Sequence, residues 1–117
     1  MNRIERTIVK ETERVIKVAR SIYPMGTREI VVVPKLLDYR YAALASFRVK
    51  TIWFNTMYCN TKNLDLFISE LIPHEVAHLV SDFVYPDAKH IHGKEWKEVC
   101  TELGGIPKQW IKGLVHH

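Results

Sequence analysis

An α+β fold is what this sequence predicts, and three observations lead there. The N-terminal stretch has helical periodicity, the middle is rich in β-branched and aromatic residues broken by turn formers, and a second helical half begins near Asn60. With 117 residues at 47% hydrophobic content, the chain has material for one core, so a single domain over residues 1–117 is expected.

Ile4, Ile8, Val15, Ala19 and Ile22 recur at helical spacing with Arg, Lys and Glu between them, which predicts an amphipathic helix over residues 2–22. Tyr23-Pro24-Met25-Gly26 ends it. Glu29 to Val33 reads as a strand that Pro34 terminates or confines to an edge. Ala43 to Lys50 and Thr51 to Asn55 complete a small sheet of about three strands. Asn60-Thr61 then offers a helix cap, and Leu64, Phe67, Ile68, Leu71 and Ile72 carry apolar periodicity up to Pro73 and beyond. Persistence of the pattern on both sides favours one continuous helix kinked at Pro73 over a second helix that starts there. Tyr85-Pro86-Asp87 stops that helix. Lys94 to Leu103 forms the last one, with Trp96, Val99, Cys100 and Leu103 on one stripe and Gly104-Gly105 as its end.

Chemistry concentrates in His74-Glu75-Val76-Ala77-His78. At 3.6 residues per turn, positions i and i+4 share a helical face, so two imidazoles can point at one metal ion. Glu75 is offset around the helix, placed to act as general base rather than ligand. His92, in His90-Ile91-His92-Gly93-Lys94-Glu95-Trp96, is the candidate third ligand, because the intervening residues allow the chain to reverse and bring it back. Gly93 would let the backbone come close to the site. His90 competes for that place, and Glu95 or Glu98 would make a carboxylate alternative; the Gly-x-x-Trp context favours His92. Three histidines leave a coordination position open, the catalytic rather than the structural form of zinc site.

With both histidine motifs and Gly104-Gly105-Ile106-Pro107 in view, the chain resembles the SprT-like (Spartan-type) metallopeptidases from about Ile30 to Pro107. Thr51-Ile52-Trp53-Phe54-Asn55 adds a weaker match. The resemblance implies a zincin-like core, Zn2+ held by His74, His78 and His92, and Glu75 as catalytic base. It further implies protein substrates near or crosslinked to DNA, with single-stranded or damaged DNA as partner and activator. Many such enzymes carry a Cys-rich zinc ribbon. Cys59 and Cys100 are the only cysteines here and form no Cys-x-x-Cys, so a protease core without the ribbon is expected, its thiols free in a reducing, cytoplasmic setting.

Around this centre several residues are candidates for supporting roles. Glu70 and Asp82 extend the four-residue ladder of His74 and His78, and either would orient an imidazole or simply face solvent. Tyr58, Tyr85 and His90 are possible oxyanion donors, and Trp96 should pack under the metal or in the adjacent core. A strand beside the cleft would accept an extended peptide as an added strand.

The net charge of +4 and pI of about 9.1 are compatible with phosphate contacts without requiring them. Arg40, Arg48, Lys50 and Lys62 lie among Tyr39, Tyr41, Phe47 and Trp53, and a second basic run of Lys89, Lys94, Lys97, Lys108 and Lys112 surrounds His92. No stretch approaches the ~18 apolar residues of a membrane span, and the N-terminus lacks the apolar run of a signal peptide. Two functions from different classes fit: a zinc endopeptidase, or a non-proteolytic zinc-stabilised module that binds nucleic acid or protein. Intact Glu75 favours the first. His116 and His117 are assigned no role.

Overall fold

The structure, a computed structural model, describes residues 1–114; His116 and His117 fall outside the described residues. Helix α1 (Arg3–Ile22) starts on a capping box: Asn2 Oδ1 accepts from the Glu5 amide at 2.8 Å and Glu5 Oε1 accepts from the Asn2 amide at 3.2 Å. Ile8, Val15 and Ala19 are buried as their spacing predicts, joined by Thr12 and Ile16, whereas Ile22 is 46% exposed because the helix ends there. Past the helix, Arg20 ties the turn down by donating to the carbonyls of Gly26 and Arg28.

Three strands follow: β1 (Val31–Lys35), β2 (Ala43–Ser46) and β3 (Thr51–Asn55), in the spatial order β1-β3-β2. β1 runs parallel to β3, while β2 runs antiparallel to it. Pro34 lies inside β1, paired with Phe54, rather than ending the strand at Val33. An edge strand tolerates a proline because the outward side of its ladder needs no donor. β2 stops at Ser46, short of the expected Lys50. Residues 47–50 instead form a turn, with Lys50 in the left-handed region at φ 50°, and Lys50 Nζ rests 3.6 Å from the Phe47 ring centroid.

The fully buried Asn55 closes β3 and organises the β1–β2 connection. Its Nδ2 donates to the carbonyls of Leu37, Asp38 and Tyr41, and its Oδ1 accepts from the amides of Leu37 and Met57. Five hydrogen bonds on one buried side chain leave little freedom in the chain that leads to β2.

The second helical half begins at Leu64, with Asn63 as cap residue, later than Asn60-Thr61 suggests; Asn60 Oδ1 instead accepts from the Asn63 amide in the preceding turn. From there α2 (Leu64–Leu66), a π-helical turn (Phe67–Leu71) and α3 (Ile72–Val84) follow without interruption. The continuous helix across Pro73 is thus present, and the π turn shows how the ring is accommodated. Pro73 brings no N–H and its ring would strike the carbonyl four residues back; widening the turn before it, with Ile72 N–H donating to Phe67 O, relieves that conflict. Helix α4 (Lys94–Glu102) packs across α3, and the chain leaves it through Gly104 at φ +83°. The core runs between α1, the sheet, α3 and α4, with Phe54, Phe67, Leu79 and Trp96 among its fully buried side chains. No helix among the described residues is long and apolar enough to cross a membrane.

Candidate metal centre

His74 and Glu75 lie in the first turn of the buried α3, 7% and 6% exposed, with His78 one turn further along. His92 arrives from the turn before α4, closed by Gly93 N–H donating to His90 O at 3.1 Å. Nε2 of His74 is 3.2 Å from Nε2 of His78 and 3.4 Å from Nε2 of His92. Among the described residues, these three are the group able to hold a metal ion, their ligand atoms all within 4.8 Å of one another. Glu95 and Glu98 take no part in it. Glu75 Oε1 is 3.7 Å from His74 Nε2, at the edge of the cluster.

Trp96 forms the floor. It is fully buried, and its ring centroid lies 4.8 Å from that of His74, 5.4 Å from His78 and 4.9 Å from His92, stacked on His78 at 27°. Its Nε1–H donates to the His74 carbonyl at 3.2 Å, so α4 grips the start of α3 through the same residue. Gly93 does a different job from the expected one. A side chain there would crowd the His90 carbonyl at 3.1 Å and His90 Cβ at 3.2 Å, so its small size serves the turn that delivers His92 rather than an approach to the metal.

Burial dominates the electrostatics. It lowers His74 to about 4, helped by nearby His92 and opposed by the backbone of Lys108. Burial, with His74 and His92 adding to it, lowers His78 to about 3, and burial alone depresses His92. All three rings are therefore neutral at neutral pH and present lone pairs, as metal ligands must. Burial also raises Glu75 to about 8.

The supporting candidates divide. No hydrogen bond joins Glu70 or Asp82 to a histidine among the described residues. Glu70 Oε1 faces Lys108 Nζ at 3.0 Å, while Asp82 is exposed and lies in the field of Lys50. The Tyr58 hydroxyl donates to the Tyr39 carbonyl, and Tyr85 borders a hollow with Pro86, Asp87 and Ala88 that none of the three histidines lines. His90 is exposed and shares a cleft with His92, Lys89 and Gln109. A second cleft of about 200 Å³ opens beside His74 between Arg40, Tyr41, Ala42 and Ala43 on one side and Gln109, Trp110, Ile111 and Leu114 on the other. Sequence reasoning did not single out this C-terminal wall, nor Lys108 as the partner of Glu70. Cys59 and Cys100 are buried and free, and burial pushes their thiols up to about 12 and about 11.

Residues 9–114 match the SprT-like family. The chain is similar to Protein SprT of Vibrio parahaemolyticus, 34% identical over 84 residues that make up 72% of this chain and 47% of that protein. It is also similar to Protein SprT of Vibrio atlanticus, 40% identical over 46% of this chain and 32% of the relative, and of Salmonella newport, 44% identical over 39% and 27%. The chain thus spans less than half the length of these curated relatives. No solved structure matches.

Proposed function

The chain belongs to the SprT-like family, and from that membership and the converging imidazoles we propose that it is a zinc-dependent endopeptidase with a zincin-like core, held by His74, His78 and His92, with Glu75 as general base. One observation carries the metal: three ligand nitrogens lie within 4.8 Å of one another, with those of His78 and His92 at 3.2 and 3.4 Å from that of His74. Tetrahedral zinc with nitrogen ligands at 2.0–2.1 Å requires neighbouring nitrogens about 3.3 Å apart. Neutral imidazoles crowded this closely share few protons between them, so a cation is the natural occupant of the point their lone pairs face.

Bound there, zinc would supply Lewis acidity, bringing the pKa of a water toward neutrality and drawing the Glu75 carboxyl back to its ionised form. Glu75 then accepts the proton of the attacking water and returns it to the leaving amine nitrogen. Trp96 fixes the rings from below and excludes water from that side. β2, a sheet edge that starts at the cleft beside His74, offers main-chain groups to an extended peptide, a mode of binding that would carry little sequence preference. Arg40 and Tyr41 at the same cleft, together with the net positive charge, support the further reading that proteins bound or crosslinked to DNA are substrates.

Glu75→Gln decides between this enzyme and a zinc-stabilised binding module. The variant should keep one zinc per chain and lose cleavage of casein and of a DNA-bound protein by at least about 10²-fold. Wild-type protein loaded with zinc that leaves both uncut, with and without single-stranded DNA, removes the peptidase reading.

A further inference from the structure

Glu70 sits one turn ahead of His74 on the same continuous helix, inside the π turn. Its side chain is 11% exposed, and Oε1 makes no hydrogen bond of good geometry, with the Lys108 ammonium 3.0 Å away as its counter-charge. Lys108 comes from the segment after α4, whose path is set by its sequence. Gly104 turns the chain at φ +83°, Gly105 donates to the Cys100 carbonyl at 2.9 Å, and Lys108 N–H donates to Ile106 O at 2.7 Å. The last contact makes a three-residue turn with Pro107 at its centre, where a fixed φ suits that geometry. The approach to α3 is tight: a Cβ on Gly105 would sit 2.5 Å from Pro73 Cβ and 2.9 Å from Cys100 Sγ.

The segment passes beside the imidazole of His74: Gln109, the next residue, lines the same cleft as His74, and the Lys108 backbone favours a proton on the ring. Nδ1 of that ring is buried and has no hydrogen bond of good geometry. A histidine whose Nε2 faces a metal needs its other nitrogen protonated and held by an acceptor, which fixes the tautomer and the ring plane. We propose that the Lys108–Glu70 ion pair is a latch that positions His74 for metal binding, by holding the backbone after α4 against the outer nitrogen of that imidazole. Lys108 and Glu70 are positioning residues: the charge pair fixes the strap, and the strap, packed against Pro73 and alongside His74, fixes the ligand. This rests on the three-histidine metal site of the preceding section but not on its peptidase chemistry.

The test is a competition titration of zinc into metal-free protein, with Co2+ absorption reporting ligand geometry and thermal midpoints recorded alongside. Lys108→Met should weaken zinc binding about tenfold or more, the range found when outer partners of metal-bound histidines are lost. Lys108→Arg, which restores the pair, should bind within about threefold of wild type. Because Lys108→Met strands a nearly buried carboxylate and risks misfolding, the double variant Glu70→Gln/Lys108→Met removes both charges. It should fold with a midpoint near wild type, still bind zinc about tenfold more weakly, and show altered Co2+ bands. A folded double variant with wild-type zinc affinity and Co2+ spectrum overturns the latch, as does Lys108→Arg binding as weakly as Lys108→Met. Tight zinc binding by wild type without proteolysis would instead count against the peptidase reading and leave the latch intact.

Discussion

His90 and His92 stand two residues apart, yet they are not equivalent: His92 turns into the cluster while His90 stays exposed at its rim. His92→Ala should therefore strip most of the bound zinc, whereas His90→Ala should leave metal content near one per chain; metal analysis after dialysis checks this, and the reverse result would reassign the third ligand. The contrast was legible in the sequence because it is local. The four-residue step of His74 and His78 and the Gly-x-x-Trp that follows His92 both act within a turn or two of helix. Lys108 was not legible as Glu70's partner, since nothing local to either residue brings them together. That meeting depends on a three-residue turn and a glycine contact that exist only after α3 and α4 have packed.

Among the elements, the strap after α4 is the tightest fit. Gly105→Ala would press a methyl group against Pro73 and Cys100. Such overpacking should cost about 1–3 kcal/mol. A lowered thermal midpoint in calorimetry is the expected reading, and an unchanged one would mean that the strap yields freely. Strand limits were harder to foresee than helices. Lys50 adopts a left-handed φ without being Gly or Asn, so the turn that shortens β2 carries no sequence signal. Pro34 leaves open whether the strand ends there or lies at an edge, and the sheet order settles it for the edge. The continuous helix through Pro73 was legible from its apolar period, but the π turn that makes room for the ring was not.

At the scale of the whole molecule, one cluster of three histidines could hold either a metal ion or protons. In the metal-free chain, burial holds His74 near 4 and His78 near 3, with His92 also below the ordinary 6.5. As pH falls below 6.5 the unfolded chain takes up protons that the folded one refuses, so stability drops. Glu75, raised from 4.5 to about 8, runs the other way: its neutral folded form stabilises at low pH, and that contribution is lost as pH rises toward 8. Three imidazoles outweigh one carboxyl, so the thermal midpoint of chelator-treated protein should peak near pH 6.5. A midpoint that keeps climbing between pH 6.5 and 8 would contradict this balance, and zinc added at pH 7.5 should raise the midpoint through linkage. The α+β class was readable because helical and strand periods occupy separate stretches; the mixed β1-β3-β2 order was not, because it depends on contacts between strands distant in sequence.

Trp96 gives the molecule a built-in optical gauge. Its indole lies within 5.4 Å of every ligand ring centroid and is sealed from solvent, whereas Trp110 is 72% exposed and emits from a watery environment. A change of occupancy among the three histidines should therefore be felt by the most deeply buried of the chain's tryptophans. Paramagnetic ions such as Co2+ or Cu2+ would darken it selectively, so loading and loss of metal can be followed in real time without a label.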